Sequence, residues 1–170
     1  MKRIDKILKH NLFIANLSRN EEEEKNREFC RHNMTHFLDV ARIARILNAE
    51  ESYGLDAELI YAAALLHDIG KHLQYTRRIP HERASAEIAP EILSDCGFDD
   101  EETGVIVSAI LQHRDAEVKE QRNLKGLLYR ADKLSRACFA CRMQKECHWK
   151  EEKKNLDVPD LLKMFEKASG

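Results

Sequence analysis

The segment from Asp56 to Gly70, which reads DAELIYAAALLHDIG, constrains the fold of this chain more than any other. Asp56 is placed to cap a helix N-terminus, with Glu58 in the first turn, where the helix dipole favours negative charge. The helix it opens runs through Tyr61 to Ile69 and meets Gly70, a natural C-terminal stop. Its alanines, Ala62, Ala63 and Ala64, are small enough to let another helix approach closely. Helical spacing recurs on either side of it. Phe37, Val40, Ala41, Ala44 and Leu47 carry it between Asn33 and Asn48. Ala84, Ile88 and Ile92 carry it after His81, in a helix that Pro90 should kink or divide. Asp99 and Asp100 offer N-caps to a helix bearing Ile106, Ala109, Ile110 and His113. A last one runs from Leu124 through Leu127, Leu128, Ala131 and Leu134 to Cys138.

With three prolines and six glycines in 170 residues and no convincing strand, the expected fold is all-α. It is a compact bundle of five or more helices in a single domain. Within it we expect a helical N-terminal segment over residues 1–29 and a core over 30–137. A cysteine-containing extension over 138–170 packs on that core, where Leu161, Leu162, Met164 and Phe165 form a final helical turn or two. The charge run from Glu21 to Lys25 reads as a solvated helix face. A composition of 43% hydrophobic and 34% charged residues is that of a soluble globular protein. No apolar run approaches the length of about 20 that spans a bilayer. The first ten residues have no apolar signal core, so the expected location is cytoplasmic and away from membranes. A formal net charge of −2 gives no footprint for duplex nucleic acid. The oligomeric state is not legible. Five cysteines, an odd number, point to metal or redox roles rather than to a disulfide framework.

The chemistry lies in where polar residues fall on apolar faces. His36 shares a face with Val40, Ile43 and Leu47, and His113 ends the stripe of Ile106, Ala109 and Ile110. Asp132 stands beside Ala131 and four residues from Leu128. His67 and Asp68 end the central helix, where its dipole favours a cation. An ionised carboxylate inside a core is costly unless it is paired or bound to a metal. Several imidazoles and two carboxylates converging there make a site for Fe, Mn, Co, Ni or Zn, with Mg as the hard alternative.

The order His36, His67-Asp68, His81, His113, Asp132 resembles the HD-domain metal-dependent phosphohydrolase superfamily, of the HDIG type. The similarity runs from Cys30 to Arg136. His36-Phe37-Leu38-Asp39-Val40-Ala41 resembles its first helix, Leu65 to Lys71 its central segment, and Ala131-Asp132-Lys133-Leu134 its last ligand helix. The resemblance implies one ion on His36, His67, Asp68 and Asp132. His81 and His113 match the extra histidines of members with two metals, with Asp68 as the bridge. It implies hydrolysis of a phosphate ester or anhydride of a small phosphorylated molecule, a nucleotide by precedent, by a metal-activated water. The GYP motif of one phosphodiesterase branch is missing. Asp68 and Lys71 are the expected catalytic residues, and Lys71, Arg77, Arg78 and Arg114 are candidates to hold substrate phosphate. His32 reads as a supporting or surface residue, like His10, His72 and His148. Two other readings stay open: a di-iron oxygenase, and a non-catalytic module that senses a nucleotide or redox state.

Cys138, Cys141 and Cys147 form C-x2-C-x5-C, spacing that suits a thiolate metal site in need of a fourth ligand. Cys30 lies six residues before His36 and Cys138 six after Asp132. On antiparallel helices that meet at one metal, both are displaced the same way by about 9 Å. His148 is adjacent in sequence, but on this geometry Cys30 is the expected fourth ligand of a structural zinc or an iron–sulfur cluster, against a reading as free thiols. Cys96 reads as an ordinary packed cysteine.

Overall fold

The structure is a computed structural model that describes residues 1–157. The expected turns at Leu161, Leu162, Met164 and Phe165 lie outside those residues. Among the described residues there are eight α-helices and no β-strand. They are α1 (Lys2–Lys9), α2 (Asn11–Glu23), α3 (Met34–Glu50), α4 (Ala57–Leu66), α5 (Lys71–Arg77), α6 (His81–Cys96), α7 (Asp100–Gln112) and α8 (Leu124–Leu134). None is long and apolar enough to cross a membrane.

The bundle is built around α4. Ile60, Ala62, Ala63, Ala64, Leu65 and Leu66 are all buried, as a helix apolar on every side requires. α1, α3, α6, α7 and α8 all pack on it. Phe37, Val40, Ala44 and Leu47 of α3 join the same core, with Ile92 and Leu93 of α6, Ile106 and Ile110 of α7, and Leu127 and Leu128 of α8. Ile4, Ile7 and Phe13 bring α1 and α2 into it.

Local signals account for most helix starts. Asp56 accepts the N–H groups of Glu58 and Leu59, and Asn33 accepts that of His36. Asp99 rather than Asp100 caps α7, in a reciprocal capping box with Glu102. Across the bundle, Arg130 of α8 makes a two-pronged contact with Glu51 at the end of α3, at 2.8 and 3.0 Å. That contact fixes the approach of the helix that carries Asp132.

Three expectations change. Gly70 does not stop the central helix: α4 ends at Leu66, a turn covers His67 to Gly70, and Gly70 opens the unanticipated α5. Its φ of −91° is open to any residue. Close packing is what requires glycine, since a Cβ there would lie 2.7 Å from the Ser85 nitrogen and 2.8 Å from the Ala84 Cβ. Pro90 does not divide its helix either. α6 continues from His81 to Cys96, anchored on both sides of the proline by buried Ala84, Ala89, Ile92 and Leu93, despite the N–H that proline lacks and the crowding of its ring. Finally, α8 ends at Leu134, so Cys138 lies in a short 3-10 turn instead of on the helix. The side chain of Asn155 returns to donate to the carbonyls of Lys133, Leu134 and Arg136, which satisfies the open end of α8.

Candidate metal centre

Five helix ends meet at one place. His36 lies in the first turn of α3, His81 is the first residue of α6, His67 and His113 are the C-caps of α4 and α7, and Asp132 is in the last turn of α8. Carbonyl ends of three helices favour positive charge between them. Two groups form, each with ligand atoms within 4.8 Å of one another: His36, His67, Asp68 and Asp132, and Asp68, His81 and His113. Asp68 belongs to both. Its Oδ2 faces His67 Nε2 at 3.2 Å and His36 Nε2 at 3.7 Å. Its Oδ1 faces His81 Nε2 at 3.1 Å and His113 Nε2 at 3.6 Å. Asp132 Oδ1 lies 3.5 Å from His36 Nε2.

The ring orientations are set from behind. His67 Nδ1 donates to the Ala64 carbonyl at 2.7 Å and His113 Nδ1 to the Ile110 carbonyl at 2.6 Å. A carbonyl can only accept, so the proton sits on Nδ1 and the Nε2 lone pair points into the cluster, as a metal ligand requires. His36 Nδ1 meets the Ser135 hydroxyl, and His81 Nδ1 meets the Gln74 side chain.

Burial and charge oppose each other here. Burial would raise the Asp68 carboxyl, but the imidazoles of His67 and His32, with hydrogen bonds from His36 and His67, hold it well below the usual carboxylate range. Asp132 is lowered as well: burial acts against it, while Lys133, His67 and His113 outweigh it. Burial pushes His81 down to about 3 and His113 down to about 4, and lowers His36. His67 goes the other way, since Asp68 outweighs its burial. One buried atom is left without a hydrogen-bond partner in this cluster: Asp68 Oδ1. An orphaned carboxylate oxygen facing two neutral imidazoles is the arrangement a divalent cation satisfies, so the residues present fit metal binding.

A pH dependence follows for the metal-free protein. Three of the cluster's histidines have folded pKa values below the ordinary 6.5, so the unfolded chain takes protons that the folded chain refuses. That stability is complete above about pH 6.5 and is lost as pH falls toward 3–4. His67, shifted upward, acts in the opposite sense but is a single group. Chelator-treated protein should therefore show a melting temperature that falls steadily from pH 7 to pH 5. A flat profile would mean that these imidazoles are open to solvent.

The α2 end, read above as a solvated face, supplies what the sequence reading missed. Glu24 is 2% exposed. Its Oε1 contacts His32 Nδ1 at 2.6 Å and accepts from the Tyr75 hydroxyl at 2.5 Å, and its Oε2 accepts the His32 backbone N–H. Burial would raise this carboxyl, but His32 and Tyr75 together bring it below its ordinary value. With Nδ1 given to Glu24, His32 presents Nε2 to the cluster, 3.7 Å from Asp68 Oδ2. Asn20, also on α2, is fully buried. It donates to the Asp68 carbonyl and accepts the His72 N–H, which pins the turn between α4 and α5. No period in the sequence marks these residues, because their burial comes from α5 and the turn packing over them.

The expected phosphate-holding residues are dispersed. Lys71 is buried, with Nζ 3.2 Å from His81 Nδ1, and burial pulls its ammonium below the ordinary value against the attraction of Asp68 and Glu24. Arg114 is exposed and pairs with Glu82 at 3.4 Å, next to His81. Arg77 instead borders a separate cleft with Arg19, Glu22 and His72, and Arg78 is exposed at the left-handed end of α5. A cavity of about 400 Å³ reaches the centre from the other side. His32, His36 and Asp132 line it, together with Arg31, Arg136, Lys153 and Lys154, and so do all four candidate cysteines.

A family model of the HD domain matches residues 33–137. The chain is 50% identical over 158 residues to an uncharacterized protein of Clostridium beijerinckii, covering 93% of this chain and 99% of that protein. It is 34% identical over 104 residues to ribonuclease Y of Enterococcus faecalis and 31% identical over 104 residues to ribonuclease Y 1 of Pediococcus pentosaceus. Each of those two matches covers 61% of this chain but only 18% of the ribonuclease. No solved structure gives a significant match.

Proposed function

Since this chain belongs to the HD-domain family, we propose that it is a cytoplasmic metal-dependent phosphohydrolase acting on a small phosphorylated molecule. A nucleotide is the leading substrate class, cleaved at a phosphate ester or anhydride. The observation that carries this reading is Asp68, whose two oxygens face two separate ligand groups while one of them has no other partner. That is a bridging position, and it supports two ions, held by His36, His67, Asp68 and Asp132 and by Asp68, His81 and His113. Bound there, divalent ions supply Lewis-acid polarisation of a phosphoryl oxygen and lower the pKa of water.

The protein's own groups do the rest. His32 lines the cavity, its Nδ1 against Glu24 and its Nε2 facing the cluster, which places a ring nitrogen to take the proton of the attacking water. Arg31 and Arg136 on the cavity wall hold substrate phosphate, a task for which planar guanidinium suits. Lys71 and Arg114 offset negative charge on the His81 side. A cavity of about 400 Å³ suits a small ligand. The ribonuclease Y relatives, ribonucleases by name, support phosphate-ester chemistry.

The test is anaerobic purification with metal analysis, then phosphate release across nucleotides and sugar phosphates. About two ions per chain are expected for a bridged pair, with release that stops on chelation. His81→Ala and His113→Ala should each reduce the metal content by about one ion, while His36→Ala disturbs the other. Unchanged metal and rate in the variants at 81 and 113 would leave a mononuclear site. Dioxygen consumption without phosphate release would replace the hydrolase with an oxygenase.

A further inference from the structure

Cys30, Cys138, Cys141 and Cys147 are all free thiols and line one cavity. Helix extension does not bring them there, because Cys30 precedes α3 and the other three follow the end of α8. Chain return does, through Arg136, whose guanidinium donates to the Lys153 carbonyl and stacks on Trp149 at 4.4 Å.

The segment that carries the three clustered cysteines has no core of its own. Beyond Ala131 no described residue is buried, and its large apolar side chains, Phe139 and Trp149, are 41% and 37% exposed. Gln144 donates to the Cys138 carbonyl and Lys154 to the Gln144 carbonyl, but each hydrogen bond adds only about 1 kcal/mol net. A stretch this poor in burial needs a staple to hold one conformation. Metal-ligating cysteines provide such staples, since their binding free energy becomes folding free energy.

The spacing of the thiols bears on the kind of metal group they suit. Four thiolates on one zinc, with bonds near 2.3 Å, hold their sulfurs about 3.8 Å apart. Among the described residues, the groups with ligand atoms within 4.8 Å of one another are the two histidine–carboxylate sets, and no three cysteines form one. Thiols gathered around one cavity, with no three of them within 4.8 Å of one another, suit a cluster in which each thiolate binds a different iron.

We propose that Cys30, Cys138, Cys141 and Cys147 hold an iron–sulfur cluster that ties the segment before α3 to the segment after α8 beside the histidine–aspartate centre. The four thiols bind as thiolates and release their protons. Lys153 and Lys154, which line the same cavity, offset the negative charge of a four-thiolate cluster and leave Arg31 and Arg136 to substrate phosphate. The site stands whether or not the chain hydrolyses phosphate.

The test is the full chain purified anaerobically and reconstituted with equal amounts of ferrous and ferric iron and with sulfide, with iron, zinc and acid-labile sulfide measured per chain. About four sulfides are expected for a four-thiolate cubane, with sulfide-to-iron absorption in the visible. Cys30→Ser and Cys141→Ser should each lose most of the sulfide while still binding manganese at the other centre, which reports that the core is folded. Cys96→Ser, a core position outside the cavity, should keep it. No sulfide in the reconstituted parent overturns the cluster, as does full sulfide in Cys30→Ser. Zinc bound without sulfide and lost in Cys141→Ser overturns it in favour of a mononuclear thiolate site.

Discussion

Asp68→Ala is expected to empty both metal positions and to lower turnover by at least about a thousandfold. Its carboxylate is shared by the two ligand groups, each of which keeps only its other members when it goes. The activation that a metal pair supplies is worth several kcal/mol, and each 1.36 kcal/mol is a tenfold change in rate. The fold should survive. Asp68 sits in the turn after α4, and what pins that turn is its backbone: the Asp68 carbonyl accepts from Asn20 and from the Lys71 N–H. Asp68→Asn separates charge from shape, since it keeps the volume and loses the anionic bridge. It should bind metal poorly and turn over nearly as slowly as the alanine variant. The measurements are metal content by mass spectrometry, far-ultraviolet circular dichroism and phosphate release. Full metal content with normal turnover in Asp68→Ala would sink the centre as described.

Gly70→Ala should be strongly destabilising, although a helix start would ordinarily welcome alanine. The new Cβ would meet the backbone of α6 at Ala84 and Ser85 at 2.7 to 2.8 Å. Backbone cannot rotate aside as a side chain can. Overpacking of this kind costs about 1–3 kcal/mol, and the upper end is expected here. For a chain of this size that corresponds to a drop of roughly 6–12 °C in melting temperature. Relief requires α5 and α6 to separate, which would also weaken the Ser85 hydroxyl bond to the Gly70 N–H and shift His81 on the first turn of α6. Metal at the His81–His113 position should therefore weaken more than metal at the His36–Asp132 position. Gly104→Ala is the control. A Cβ there meets nothing within 4 Å, so in the interior of α7 it should be neutral or stabilising by up to about 1 kcal/mol. Equal melting temperatures for the two variants would refute the packing account of Gly70.

What could be read from the sequence was whatever is decided locally. Asp56 and Asp99 cap helices with their own side chains, and apolar spacing places Phe37, Val40, Leu47, Ile106 and Ile110 in the core. Both signals depend only on residues within a few turns of each other. His36, His67, Asp68, His81, His113 and Asp132 could be picked out because a histidine or aspartate at the end of an apolar stripe is anomalous in its own segment. The choice of zinc or cluster at the cysteines could not be made from spacing, which fixes order along the chain and not separation across a cavity.

The remainder depended on contacts between distant segments. Glu24 belongs to a run of glutamates and reads as solvated, yet it is buried because Tyr75, 51 residues away, closes over it. That burial turns His32 from a surface histidine into a ring held against Asp68. Gly70 reads as a helix stop, and its real constraint is the backbone of α6 passing within van der Waals range. Pro90 reads as a break, and burial on both sides of it keeps α6 whole. In each case the local preference is worth about 1–3 kcal/mol, and the packing of neighbours that only the folded chain brings together exceeds it. The sequence therefore determined which groups could bind metal, and the tertiary packing decided which way they face and what stands behind them.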